Sequence, residues 1–292
     1  MEKIFFFLNP GAGSGIPEDF EAVIGEQAGR EGFDYRIHKI SRDLDQEDVT
    51  RLLDDYSPNI AVAAGGDGTI NLIARSLIDR EIKLGIIPLG SSNGMAYQLN
   101  IPNDPMEALR NIVTGKSRKV DMIQVNREHI SLHMSDLGMN ARVIRRYEDE
   151  NIRGFYGYAR QYFREFGMRS KFRVTLTTED QTVHAHAIMV VLANGSYYGT
   201  GASISPEGRP DDGVFEVVVI RAYPFWFLFY MLISVFIRKV GKRQFSRIFQ
   251  CREAEINVTP PQEMQVDGEP LGPQENISAR ILPGCLTVIA GS

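Results

Sequence analysis

The run Ile60-Ala61-Val62-Ala63-Ala64-Gly65-Gly66-Asp67-Gly68-Thr69-Ile70-Asn71 holds the residue types that bind phosphate. A short apolar strand is expected to lead into a glycine turn, a carboxylate and a helix start. Gly65, Gly66 and Gly68 let backbone N–H groups approach an anion, and the start of the following helix favours negative charge. Asp67 would be repelled by phosphate unless a cation lies between them or it handles a proton, so the pattern reads as a metal–nucleotide site. An ordinary glycine-rich turn between strand and helix stays open as the alternative from this segment alone.

Two further segments follow the same plan. Lys3-Ile4-Phe5-Phe6-Phe7-Leu8 reads as a buried strand, followed by Asn9-Pro10-Gly11-Ala12-Gly13-Ser14-Gly15 and a helix to about Gly29. Leu84-Gly85-Ile86-Ile87-Pro88-Leu89 precedes Gly90-Ser91-Ser92-Asn93-Gly94 and a helical stretch to about Leu99. Three strand–loop–helix units of this kind predict a parallel sheet whose loops gather at the carboxyl ends of the strands, where ligands bind.

These segments, with Asp211-Asp212-Gly213 and Asp267-Gly268-Glu269 further on, occur in the order seen in the diacylglycerol kinase catalytic-domain family, which the chain resembles from Asn9 to Glu269. That family groups bacterial diacylglycerol and related lipid kinases with sphingosine and ceramide kinases. The resemblance implies an ATP- and Mg²⁺-dependent lipid kinase, with an α/β nucleotide domain over residues 1–125, a β-rich lipid-substrate domain over 126–292 and an active site in the cleft between them. It implies nucleotide contacts at Asn9, Pro10, Gly11, Ala12 and Gly13, at Gly65, Gly66, Asp67, Gly68, Thr69, Ile70 and Asn71, and at Ser41 and Ser91. Glu269 matches the family's proton acceptor, Asp67 would act on the metal–phosphate side, and Asp121 matches another carboxylate near the active site. A structural Mg²⁺ would be held by Asp212 and the backbone carbonyls of Arg209 and Val214, oxygen ligands that suit a hard cation. Taken alone, Asp267-Gly268 is also a strong hairpin signal, and Asp211-Asp212-Gly213 also reads as an acidic turn.

The chain departs from the family pattern at Leu72, where the family has an acid, at Gly94, where many bacterial members have an aspartate, and at Asn140. Leu72 and Gly94 motivate a second reading, a nucleotide- or lipid-binding homologue that has lost catalysis. An NAD kinase-like enzyme is a third, disfavoured by the Asn9-Pro10 loop and the Asp-Gly-Glu turn.

The elements that must position these residues change character near residue 125. Short β-rich runs follow it, including Arg173–Thr177, Ala187–Leu192, Val214–Ile220 and Leu286–Ile289, and predict a mostly antiparallel sandwich. The apolar stretch Pro224–Ile237, about fourteen residues, is shorter than the roughly twenty needed to span a bilayer. Arg238, Lys239, Lys242, Arg243 and Arg247 follow it, so the stretch reads either as a peripheral membrane contact or as a buried helix with a solvated basic end. Phe155, Tyr156, Tyr158, Tyr162, Phe163 and Phe166 have roughly helical spacing and read as core, with a lipid-chain lining as the alternative.

A chain of 292 residues with 43% hydrophobic residues can bury one large core or two ordinary ones. Its net charge of -5 excludes a global basic field for nucleic acid. Cys251 and Cys285 have no ligand-like spacing and no signal peptide precedes Lys3, so reduced thiols in a cytoplasmic protein are expected. His184 and His186 share one face of a predicted strand with no third metal ligand nearby, and read as an exposed strand face.

Overall fold

A computed structural model describes residues 1–13, 15–41, 43–91, 93–149, 170–198, 202–222 and 245–291. The chain forms two compact units, Met1–Asp121 with Gly284–Ser292, and Met122–Pro283.

In the first unit the apolar runs become strands covered on both faces, as parallel sheets require. β1 (Lys3–Leu8), β2 (Asp34–Lys39), β3 (Ile60–Gly65) and β4 (Lys83–Pro88) alternate with α1 (Phe20–Glu31), α2 (Gln46–Tyr56), α3 (Asp67–Ser76), α4 (Gly94–Gln98) and α5 (Pro105–Thr114). The strands are parallel in the order β2–β1–β3–β4, with Phe6 opposite Val62 and Val62 opposite Gly85. Local chemistry sets the helix ends. Asp45 caps α2 by accepting the Asp48 N–H at 2.8 Å, and Asp104 caps α5 ahead of Pro105 by accepting the N–H groups of Met106 and Glu107. Gly32, at φ 76°, closes α1.

β5 (Lys116–Val125) leads into the second unit, built from β6 (His129–Ser131), β7 (Met134–Gly138), α6 (Met139–Asp149), β8 (Phe172–Thr178), β9 (Thr182–Ala187), β10 (Met189–Ala193), β11 (Tyr197–Tyr198), β12 (Ala202–Ser203), β13 (Phe215–Ile220), β14 (Ser246–Cys251), β15 (Glu253–Val266) and β16 (Glu269–Ala290). Pairing within this unit is antiparallel. β15 pairs with β8 over Ala254–Thr259 and with β7 over Met264–Val266, so one long strand, irregular between Asn257 and Gln262, joins the β8–β9 ladder to the β7–β10–β13–β14 ladder of the sandwich in one continuous sheet. Leu137, Phe172, Leu192, Phe215, Ile256 and Ile277 belong to the core between them. His184 and His186 lie on the exposed face of β9, as their alternation predicts.

One strand differs from the sequence expectation. Leu286–Ile289, read as part of the sandwich, lies in the first unit, where Val288 pairs in parallel with Leu84 of β4. The run was assigned by its neighbours in sequence, whereas a strand's partner is set by tertiary packing. Gly284–Ser292 thus packs with the first unit rather than with the rest of residues 126–292. The aromatic stretch from Phe155 to Phe166 and the apolar stretch Pro224–Ile237 lie outside the described residues. Among the described residues, no helix is long and apolar enough to cross a membrane.

Candidate active site

Three loops leave the carboxyl ends of β1, β3 and β4. The ladders run one step into them, with Asn9 N–H donating to the Ala64 carbonyl and Leu89 N–H to the Gly65 carbonyl, each at 2.9 Å. Beyond that point the loops approach backbone to backbone. A Cβ built on Gly90 would lie 2.6 Å from the Gly66 Cα, and one on Gly13 would lie 2.5 Å from the Leu89 carbonyl oxygen, so neither position admits a side chain without movement. Gly68 is different, because a Cβ there would meet nothing within 4 Å among the described residues. The space over the start of α3 is open.

That helix start is prepared for an anion. Gly66 is its N-cap and supplies no side-chain acceptor, which leaves the first-turn N–H groups without side-chain capping. Asp67 is half-buried as the first residue of α3. Asn71, one turn on, is only 2% exposed, and neither polar atom of its amide has a hydrogen-bond partner among the described residues. A buried amide in that condition fits a site completed by a polar ligand.

The two asparagines of the loops are spent internally. Asn9 donates through Nδ2 to the Thr69 hydroxyl at 2.9 Å and accepts the Gly11 N–H at 3.0 Å, tying the first loop to α3. Asn93, at φ 52°, accepts the Gly90 N–H and donates to the Gly90 carbonyl, both at 2.9 Å, and so closes the third loop on itself. Sequence reasoning missed this role of Asn93, although Asn tolerance of positive φ was a usable signal. Pro10, Gly11, Gly13 and Ser91 are exposed in this loop cluster, Ala12 and Ile70 are buried, and Ser41 is exposed just beyond the end of β2, next to β1.

Asp121 is buried and its Oδ1 accepts the Gly284 N–H at 2.6 Å. It therefore ties together the two points at which the chain passes between the units.

In the second unit, Asp267 and Gly268 form the two-residue turn between β15 and β16, both with positive φ (46° and 93°), as the Asp-Gly hairpin signal predicts. Glu269 is the exposed first residue of β16. Asp267 does not share that exposure to chemistry. Its carboxylate accepts the N–H groups of Leu132 (2.6 Å), Met134 (2.8 Å) and His133 (3.1 Å) and the Ser131 hydroxyl (3.1 Å). Burial pushes the Asp267 carboxyl up and these four donors pull against that shift.

The segment proposed for Mg²⁺ is a turn before β13. Arg209 donates to Asp211 at 3.2 Å, and the exposed Asp212 accepts the Val214 N–H at 3.3 Å across Gly213 (φ 76°). Sequence reasoning passed over Glu216, two residues past Val214, which is 1% exposed and whose carboxyl accepts from Gln250 at 3.1 Å. Burial, with a smaller contribution from the Asp212 charge, pushes that carboxyl up to about 7. No set of three or more His, Cys, Asp or Glu side chains converges as a metal site among the described residues, so a cation here would rely on Asp212 and backbone carbonyls.

Comparison with known proteins agrees with this architecture. A family model described as the diacylglycerol kinase catalytic domain matches residues 3–125, and one described as the YegS C-terminal NAD kinase beta sandwich-like domain matches residues 134–290. The chain is 26% identical over 306 aligned positions to a "Probable lipid kinase YegS-like" of Yersinia pestis (strain Pestoides F), covering 98% of this chain and 99% of that protein. The relative of that name in Yersinia pseudotuberculosis serotype O:1b has the same identity and coverage. A solved structure of a diacylglycerol kinase from Bacillus anthracis str. Sterne shares the fold with a TM-score of 0.74 at 20% identity, covering 99% of this chain and 97% of that one. Another structure from that organism reaches a TM-score of 0.79 at 21% identity with the same coverage. With both units matched in order along nearly the whole chain, this protein belongs to the diacylglycerol kinase catalytic-domain family of lipid kinases.

Proposed function

We propose that this protein transfers the γ-phosphate of ATP, with Mg²⁺, to a hydroxyl of a membrane-derived lipid of the diacylglycerol or sphingoid type. The observation that carries this reading is the packing of the three glycine loops onto one another beside an uncapped helix start, with open space above Gly68. Residues Asn9 to Gly13, Gly65 to Asn71, Ser41 and Ser91 would hold the nucleotide, with Asp67 on the metal side of the phosphates. Bound Mg²⁺ would neutralise charge developing on the transferred phosphoryl group. Glu269, exposed at its hairpin, takes the proton of the lipid hydroxyl, as a general base must sit where the acceptor can reach it. Asp121 supports the site from the buried position where it ties the chain crossings. A second cation, structural rather than catalytic, belongs at Asp212 with the carbonyls of Arg209 and Val214. Work on such lipids places the protein on the cytoplasmic face of a membrane as a peripheral visitor, and no nucleic-acid partner is proposed.

Radiolabelled phosphate transfer from ATP across diacylglycerols, sphingoid bases, ceramides and polyprenols tests the reading. Incorporation into one class supports it. ATP binding with no transfer to any lipid would favour the noncatalytic homologue, the reading that Leu72 and Gly94 motivate.

A further inference from the structure

Glu269 is exposed, yet the turn that carries it is anchored by buried groups. Met264 and Val266 of β15 belong to the sandwich core, so the intervening Gln265 faces the other side of its sheet, where it is 4% exposed. Its Nε2 donates to Asp136 Oδ2 at 2.6 Å, and its Oε1 accepts the Gly268 N–H at 2.5 Å. Asn140 donates to the same Asp136 oxygen at 2.6 Å, and Asp136 itself is fully buried on β7.

The direction of this chain of bonds is fixed by chemistry. A backbone N–H only donates, so Gly268 requires the carbonyl oxygen of Gln265 at the turn, which leaves the NH₂ of Gln265 to be held by Asp136. The β15–β16 ladder gives the turn little other support. Its register shifts between Met264 and Gln265, so that only the pairs Gln265–Pro270 and Val266–Glu269 lie between that irregularity and the turn, and Pro270 has no N–H to donate. Asp267 holds one side of the turn through β6 and β7, and Gln265 holds the residue immediately before Glu269.

From this geometry we propose that Gln265, oriented by Asp136, is a positioning residue for the proton acceptor Glu269. The inference rests on the lipid-kinase reading given above. Loss of the bond to Gly268 lets Glu269 wander by a fraction of its reach, and misplacement of a reacting group by about 1 Å costs on the order of 100-fold in rate.

The test uses the full-length protein and the lipid that the parent phosphorylates best. Gln265→Leu should lower kcat by roughly 10- to 100-fold with the KM for ATP unchanged. Introduced into Glu269→Gln it should produce no further loss, because two residues acting through one group are not additive. The pair Asp136→Asn with Gln265→Glu moves the buried charge by one residue while rebuilding both bonds, and should recover kcat relative to Gln265→Glu alone. This rescue keeps the test decisive if Gln265→Leu folds poorly. Parental kcat in a folded Gln265→Leu protein, full additivity with Glu269→Gln, or no recovery in the charge-swapped pair would each overturn the proposal while leaving the lipid-kinase reading intact. A parent that binds ATP and phosphorylates no lipid would overturn both.

Discussion

Two carboxylates carry the proposed chemistry from opposite kinds of position. Asp67 begins a helix in a glycine loop, and Glu269 is the exposed first residue past a hairpin. Glu269→Gln keeps shape and hydrogen bonding but loses proton acceptance, so kcat should fall by about two to four orders of magnitude with ATP affinity unchanged, as measured by lipid phosphorylation and by nucleotide titration. Asp67→Asn should lower transfer by at least about 100-fold at saturating Mg²⁺ with the melting temperature nearly unmoved, since it removes several kcal/mol of charge stabilisation at a half-exposed helix start while keeping the side chain's volume. Parental turnover at saturating Mg²⁺ would remove that role. Both residues were legible in the sequence because local signals mark them, glycines around one and an Asp-Gly turn before the other. Gln265 and Asp136 were not legible. Their bond joins positions far apart in the chain, and only the pairing of β7 with β15 brings them together. Asn93 was visible as a residue and invisible as a latch, because its role depends on how the Gly90 backbone folds around it.

At the scale of elements, the parallel strands β1, β3 and β4 were predictable because each is a continuous apolar run, and the glycine loops because they follow those runs at once, whereas the polar edge strand β2 (Asp34–Lys39) gave no such signal. Which glycines are demanded by the fold was not predictable, since that depends on what lies across the gap. Gly90→Ala forces a Cβ into the Gly66 backbone, so it should cost about 1–3 kcal/mol in thermal or denaturant unfolding and weaken ATP binding as well. Gly68→Ala meets no atom of the described residues within 4 Å, so stability should hold or rise by up to about 1 kcal/mol. ATP binding should nonetheless weaken, because the added methyl enters the space assigned to the ligand. Equal ATP affinity in Gly68→Ala and parent would show that this space is not the nucleotide site. The strand at Leu286–Ile289 escaped correct placement for a related reason, since its residues encode a strand but not a partner.

Across the whole molecule, the two units should answer differently to ions. If Asp212 and its neighbouring carbonyls hold Mg²⁺, the parent's melting temperature rises with Mg²⁺ while that of Asp212→Ala does not, because a ligand bound only by the native state adds stability by mass action. Differential scanning calorimetry with and without chelator reads this directly, and equal responses would dismiss the structural cation. The return of the chain to the first unit has another outcome. β4, already paired with β3, gains its second parallel neighbour only when Val288 arrives opposite Leu84, after the whole of the second unit has been made. On the ribosome, then, the sheet of the first unit begins first and is finished last, and through the intervening synthesis the edge of β4 stays unpaired and open to chaperones and to other nascent chains.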